Sequence, residues 1–163
     1  MIDGTIRAAT AEDAPAIVAL VHLLDAEEAK AGTTLTVADV LLNGFGPRPR
    51  FRVLLAEADG RTLGYALFSQ SYDTEHAARG MYVNDLYVVP EARRRGIGRA
   101  LMAAVARACL ADGGRYLFWH ALERNAAGRA FYRRIGAREE AVVTLSLQPV
   151  ALHRLAQAPS TAL

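Results

Sequence analysis

The stretch from Met81 to Met102 leaves this chain few choices. An apolar run, Met81 to Val89 with Asp85 as its only charge, stops at Pro90. Arg93-Arg94-Arg95-Gly96-Ile97-Gly98-Arg99 follows, then an Ala/Leu-rich amphipathic segment. The pattern predicts a strand, a loop and the start of a helix. A helix start carries backbone N–H groups without intrahelical partners and the positive end of the aligned peptide dipoles. It is therefore a ready seat for an anion. Gly96 and Gly98 lack a Cβ, so a phosphate can approach the backbone. Arg93, Arg94, Arg95 and Arg99 add forked donors suited to phosphate oxygens. The stretch predicts a pyrophosphate clamp.

Two familiar clamps are excluded. A P-loop needs Lys-Ser/Thr after its second glycine, and Arg99-Ala100 stands there. The dinucleotide fingerprint needs a third glycine, and Leu101 takes its place. Composition bounds the ligand further. With 19 Lys+Arg against 17 Asp+Glu the net charge is only +2, which argues against nucleic acid as a partner. The positive charge is nearly all arginine, concentrated between Arg93 and Arg138, and fits a small phosphate ligand. The lone Cys109 excludes an intrachain disulfide or a Cys-based zinc site. His22, His76, His120 and His153 lack metal-ligand spacing, so no metal is expected. No apolar run reaches the roughly 18 residues of a membrane span, and Met1-Ile2-Asp3-Gly4 has no signal-like character. A cytoplasmic protein of one domain, residues 1–163 with a core over about 5–157 and a frayed tail over 158–163, is expected.

Read in order, Thr5 to Ala9 predicts a short strand. Thr10-Ala11-Glu12-Asp13 starts a helix, and its apolar stripe ends in the acidic patch Asp25-Ala26-Glu27-Glu28-Ala29. That patch is either a solvated helix end or a surface that attracts a cationic substrate. Thr36 caps a second helix, Val37 to Leu42. Phe51–Ala58 and Leu63–Ser71 predict a hairpin around Asp59-Gly60-Arg61. Tyr72 to Gly80 reads as a polar loop, and Met81 to Val89 as the third strand of the meander. The helix from Gly96 to about Ala111 stops at Gly113-Gly114. Tyr116–Leu122 is the next strand, Ala126–Ile135 the next helix with Asn125 as its cap, Ala141–Leu147 a last strand and Pro149–Gln157 a last helix. The fold class expected is mixed α/β (α+β): an antiparallel meander followed by a βαβα unit, whose strand–helix–strand step is a right-handed crossover.

Arg93-x-x-Gly96-x-Gly98 resembles the acetyl-coenzyme A loop of the GNAT N-acetyltransferase superfamily. Asn125-Ala126-Ala127-Gly128-Arg129-Ala130-Phe131-Tyr132, closing at Gly136-Ala137, resembles the superfamily's second motif at the expected distance. Shorter segments narrow the likeness to the spermidine/spermine (diamine) and thialysine N-acetyltransferases: Leu41 to Pro47, Val53 to Glu57, Ser71-Tyr72-Asp73 and Asp85-Leu86-Tyr87-Val88. Together they span roughly residues 5 to 157. The resemblance implies a splayed central sheet and acetyl transfer from acetyl-CoA to the primary amine of a small molecule. It also implies a homodimer. A protein or peptide N-acetyltransferase of the same fold, or a non-catalytic CoA-binding module, is the alternative.

The resemblance also implies site residues. Main-chain groups of Leu86, Tyr87 and Val88 would pair with the pantetheine arm. Arg94, Arg95, Gly96, Ile97, Gly98 and Arg99 would hold the pyrophosphate, with Arg93 leading the motif. Asn125 would contact the cofactor, or serve only as a helix cap. Tyr132 would protonate the departing thiolate. A phenol titrates near 10 and is a usable acid at neutral pH; the alternative for Tyr132 is to fill the core beside Phe131. Asp73, Asn84 and Asp85 are the candidate substrate contacts. Polyamine enzymes carry Glu-Asp where this chain has Asn84-Asp85, so the base is left open between Asp85, His120 and ordered water. Strand alternation puts Asn84 and Asp85 on opposite faces, and His120 on a core strand.

Overall fold

The computed structural model describes residues 4–28, 32–75 and 77–158. They form two compact units, Met1–Leu122 and Glu123–Leu163. In the first, strands β1 (Gly4–Ala8), β2 (Arg52–Ala58), β3 (Arg61–Asp73), β4 (Ala78–Val88) and β5 (Tyr116–Phe118) lie side by side in that order. The β1 to β4 pairs are antiparallel, and β5 joins β4 in parallel. Helices α1 (Ala14–Glu27) and α2 (Val37–Gly44) sit between β1 and β2, and α3 (Ile97–Ala111) makes the crossover from β4 to β5.

Local chemistry accounts for the boundaries. Thr36 and Asp39 form the reciprocal capping box of α2: the Asp39 N–H donates to Thr36 Oγ1 at 3.1 Å, and the Thr36 N–H to Asp39 Oδ2 at 2.9 Å. The β2–β3 hairpin turns at Asp59 (φ 52°) and Gly60 (φ 69°), the two left-handed residues that suit a tight hairpin. Tyr72 to Gly80 is not a loop. β3 runs on through Asp73, and β4 resumes at Ala78. Asp73 Oδ1 accepts from the Glu75 N–H at 2.8 Å and tightens the turn between them. His76 and Ala29 lie outside the described residues, as does the tail beyond Ala158.

The two faces of the sheet are covered by different helices. Odd and even positions of β3 point to opposite sides. Tyr65 lies within the electrostatic reach of Asp25 and Glu28 at the end of α1. Phe68, on the other face, lies under the guanidinium of Arg52, which pairs with Asp112 just past α3 at 2.7 Å. Ile17, Leu55, Tyr65, Phe68, Leu101 and Val105 are essentially inaccessible. Removing such side chains from water is the main stabilising term. Cys109 is buried with them, its thiol near Tyr116 O at 3.3 Å.

β5 is shorter than its sequence suggests. It pairs with β4 only at Gly80, Met81 and Tyr82, opposite Tyr116, Leu117 and Phe118. Gly80 is required there: a Cβ would come within 2.6 Å of the Tyr116 ring. Beyond Tyr82, β4 continues to Val88 with β3 on one edge and, among the described residues, no strand on the other. The sheet is splayed at this point.

The second unit holds α4 (Ala126–Arg134) and α5 (Pro149–Ala156). None of its described residues is buried. The strand expected over Ala141–Leu147 is absent from the described residues. Val143 and Leu145 are 84% and 87% exposed, so the alternation that suggested a strand has no sheet edge beneath it.

Candidate active site

The loop and helix start expected after β4 are present. Gly96 caps α3 with φ 87°, a left-handed conformation that costs a residue with a Cβ roughly 1–2 kcal/mol. A Cβ on Gly96 would meet nothing within 4 Å, so the space over this helix start is open. Ile97 behind it is buried and fixes the turn. Arg94 also has a positive φ, 60°. Among the described residues no partner holds the exposed guanidinium of Arg94, Arg95 or Arg99. Open backbone, an inward dipole and three outward cations suit a pyrophosphate. Leu86, Tyr87 and Val88 lie on β4 beyond its last β5 pair, just before this loop.

Arg93 behaves differently from its neighbours. Its Nε donates to Val88 O at 2.8 Å, its Nη2 to the Glu27 carboxylate, and its Cζ stands 5.5 Å from the centroid of the Tyr87 ring. The Glu27 hydrogen bond raises the pKa of the Arg93 guanidinium. Burial, and then Glu27, raise that of the Tyr87 phenol. Part of the acidic patch at the end of α1 is thus the partner of the loop's first arginine.

The candidate acceptor residues depend on a bulge. Leu67 pairs with Asp85 and Phe68 with Val83, so Asn84 is an extra residue with no opposite number. The Ser69 hydroxyl donates to Asn84 Oδ1 at 3.1 Å, and the Tyr65 hydroxyl to Asp85 Oδ2 at 3.2 Å. Ser69 and Tyr65 are four residues apart on one face of β3, so Asn84 and Asp85 share that face. The alternation expected from sequence is overturned by the inserted residue. Tyr65 is 0% exposed. Burial, then the Asp85 carboxylate, pushes its phenol far up, which keeps it a donor. Neither Tyr65 nor Ser69 stood out in the sequence, because a tyrosine and a serine in an apolar strand look like packing.

His120 is exposed and lies past the end of β5, not on a core strand. Its Nδ1 is 3.1 Å from the Tyr82 hydroxyl, and its ring stands edge-on to Phe118. Asp73 closes β3 at the turn. In the second unit, Asn125 is a helix cap: its Oδ1 accepts from the Gly128 N–H at 2.9 Å. Tyr132 is half-buried on α4 beside Phe131, with ring centroids 5.2 Å apart. Arg129 and Arg133 both hold Glu139, at 2.9 and 2.7 Å. Among the described residues, no group of three or more His, Cys, Asp or Glu could hold a metal ion, and no helix is long and apolar enough to cross a membrane.

A strand with one edge unpaired beyond Tyr82 thus leads into a glycine-opened helix start with cations around it. Residues 17–137 match the Acetyltransferase (GNAT) family, and the chain belongs to it. The match runs across both compact units. The thialysine N-epsilon-acetyltransferase of Bos taurus is 33% identical over 144 residues, covering 82% of this chain and 84% of that protein. Among solved structures, an integron cassette protein from V. cholerae superposes with a TM-score of 0.79 at 21% identity, covering 97% of this chain and 100% of that one. An aminoglycoside N-acetyltransferase in complex with CoA superposes with a TM-score of 0.74 at 20% identity, covering 90% and 95%. The chain is a GNAT-type N-acetyltransferase, and acetyl-CoA is the family's cosubstrate.

Proposed function

We propose that the protein acetylates a primary amine of a small molecule, a polyamine or diamine, thialysine or a related amine, using acetyl-CoA. The observation that carries this reading is the continuity of the β4 edge opened beyond Tyr82 with the helix start at Gly96. It offers amide-pairing backbone and an anion seat in sequence, which is what pantetheine followed by pyrophosphate requires. The match to thialysine N-epsilon-acetyltransferase supports the acceptor class.

When bound, acetyl-CoA supplies the acetyl group as a thioester. The chain's residues do the rest. Main-chain groups of Leu86, Tyr87 and Val88 align the pantetheine arm. Backbone amides from Arg94 to Arg99 hold the pyrophosphate, aided by the arginine side chains, and Asn125 adds a contact. Asp85, which accepts a hydrogen bond from the Tyr65 hydroxyl, faces the ammonium with Asn84 beside it, and Asp73 is the third candidate contact. Asp85, His120 or water removes the amine proton. Tyr132 gives its proton to the leaving sulfur. Residues 1–163 are read as one N-acetyltransferase domain.

The apolar C-terminal side chains, Val143 and Leu145 above all, support a homodimer. The absence of a membrane-crossing helix among the described residues and the single buried thiol are in keeping with the cytoplasm. The deciding experiment is a panel of spermidine, thialysine, lysine and amino-terminal peptides with acetyl-CoA, read by free-thiol release. Turnover on the small amines is expected. Turnover confined to peptides would make the protein a peptide acetyltransferase. CoA binding without turnover on any amine would make it a binding module.

A further inference from the structure

The four arginines of the clamp divide three to one. Arg94, Arg95 and Arg99 extend outward, whereas Arg93 turns back onto β4 and α1. Its fork is taken up by the Val88 carbonyl and the Glu27 carboxylate, and its flat face by Tyr87. A guanidinium that swung out to a phosphate would leave Glu27 without its cation and beside a dianion, which Coulomb's law disfavours. The next residue gives a second reason. Arg94 has φ 60°, a conformation that persists in a side-chain-bearing residue only where the flanking chain is fixed. On one flank stand Gly96 and the buried Ile97. On the other stands Arg93, tied to a strand and to a helix.

We propose that Arg93 is a positioning residue: paired with Glu27, it latches the phosphate loop to the end of α1 and aims the loop amides at the pyrophosphate without touching it. The latch rests on the reading of residues 94–99 as the CoA clamp. It gives the acidic end of α1 a role beyond attraction of a cationic substrate. It also explains why arginine stands at this position. A lysine ammonium is a point charge without a fork, and it cannot bridge a carbonyl and a carboxylate in fixed directions.

The test compares CoA affinity, by calorimetry over a series of NaCl concentrations, for wild type, E27Q, R93Q, R93K and the double variant E27Q/R93Q. Thermal unfolding of each is followed alongside. The latch predicts that E27Q weakens CoA by about threefold to tenfold, as suits a partly exposed pair acting at one remove. R93K should fall with R93Q, and the double variant should be no weaker than R93Q. The salt dependence should keep its wild-type slope, because no phosphate contact is lost. In turnover, KM for acetyl-CoA should rise while kcat holds. E27Q lies on a half-exposed helix end and remains informative should the Arg93 variants unfold. If E27Q binds CoA as tightly as wild type or more so, while R93Q weakens binding and flattens the salt slope, Arg93 is a direct phosphate ligand and the latch is overturned. A wild type that binds no CoA, or a folded G98D that binds it normally, removes the clamp reading itself and takes the latch with it.

Discussion

The two compact units are stabilised in different ways. Met1–Leu122 contains every buried side chain among the described residues, with two helices on opposite faces of one sheet. Glu123–Leu163 buries none of its described residues. Its α4 has nine residues, shorter than the roughly 12–15 that hold an isolated helix together in water. It is fastened by the Asn125 cap and the exposed Arg129–Glu139–Arg133 cluster. The proposed clamp thus lies in the unit that holds the buried side chains, while the proposed proton donor lies on a helix of the unit that holds none among the described residues. The difference teaches that affinity for the cosubstrate and rate of transfer should be separable by mutation.

Tyr132→Phe tests the separation most severely. It should lower kcat by about 10² to 10⁴, the usual cost of losing a general acid. CoA affinity should hardly change, since the proton moves only in the transition state. Steady-state kinetics and calorimetry on the same preparation decide it. Turnover within about twofold of wild type would return Tyr132 to plain packing.

Stability should divide along the same line. Leu101→Ala empties a fully buried position and should cost about 2–5 kcal/mol in denaturant unfolding. Leu152→Ala, on the exposed side of α5, should stay within about 0.5 kcal/mol. A loss above about 2 kcal/mol for Leu152→Ala would mean that α5 has a buried face in solution, and the contrast between the units would break.

Acid should separate two ionic clusters. Arg7 bonds both Asp13 and Glu57, at 2.7 and 2.6 Å, and those hydrogen bonds depress both carboxyl pKa values. A carboxyl with a depressed folded pKa takes up fewer protons folded than unfolded. Its contribution is therefore complete above the unfolded values near 3.9 and 4.3 and is lost as pH falls below them. Removing Arg7 by Arg7→Met should cost about 1 kcal/mol at neutral pH and progressively less below pH about 4. The Arg129–Glu139 pair has the same sign, because Glu139 is also depressed by its arginine partner. That pair is the more exposed of the two clusters and should be the more easily screened by salt. Urea titrations at several pH and salt values distinguish the two.

The smallest effect on monomer stability is expected from Leu145→Ser, within about 0.5 kcal/mol. Light scattering supplies its real test. The wild type should run as a dimer and the variant should shift toward monomer. A wild type that is monomeric at micromolar concentration would remove the homodimer from the functional reading.

Elements governed by neighbours in the chain were legible in the sequence. Thr36 announces α2, Asp59-Gly60 announces a hairpin, and Gly96 announces the start of α3. Features set by distant partners were not. Asn84 becomes a bulge only through the pairing of Leu67 and Phe68 on another strand. Tyr116–Leu122 has strand-like composition throughout, yet β5 ends at Phe118 where its pairing with β4 stops. Val143, Leu145 and Leu147 alternate in the same way whether or not a sheet edge receives them. Arg93 reads as one more cation of a basic loop, because its partner Glu27 is 66 residues away.

The bulge on β4 gives the acceptor side a phase that can be set independently of the clamp. A strand with strict alternation ties the facing of every side chain to that of every other, so one insertion inverts them all. Here one extra residue falls between the end of β4 that pairs with β5 and the end that leads into the loop. Removing Asn84 would restore strict alternation with Asp85 still opposite Leu67 and Val83 opposite Phe68, so that face would lose the Asn84 amide and keep the Asp85 carboxylate. The loop from Arg93 to Gly98 would be carried along unchanged in sequence. Acceptor preference in such a scaffold can therefore change by counting residues as well as by exchanging them.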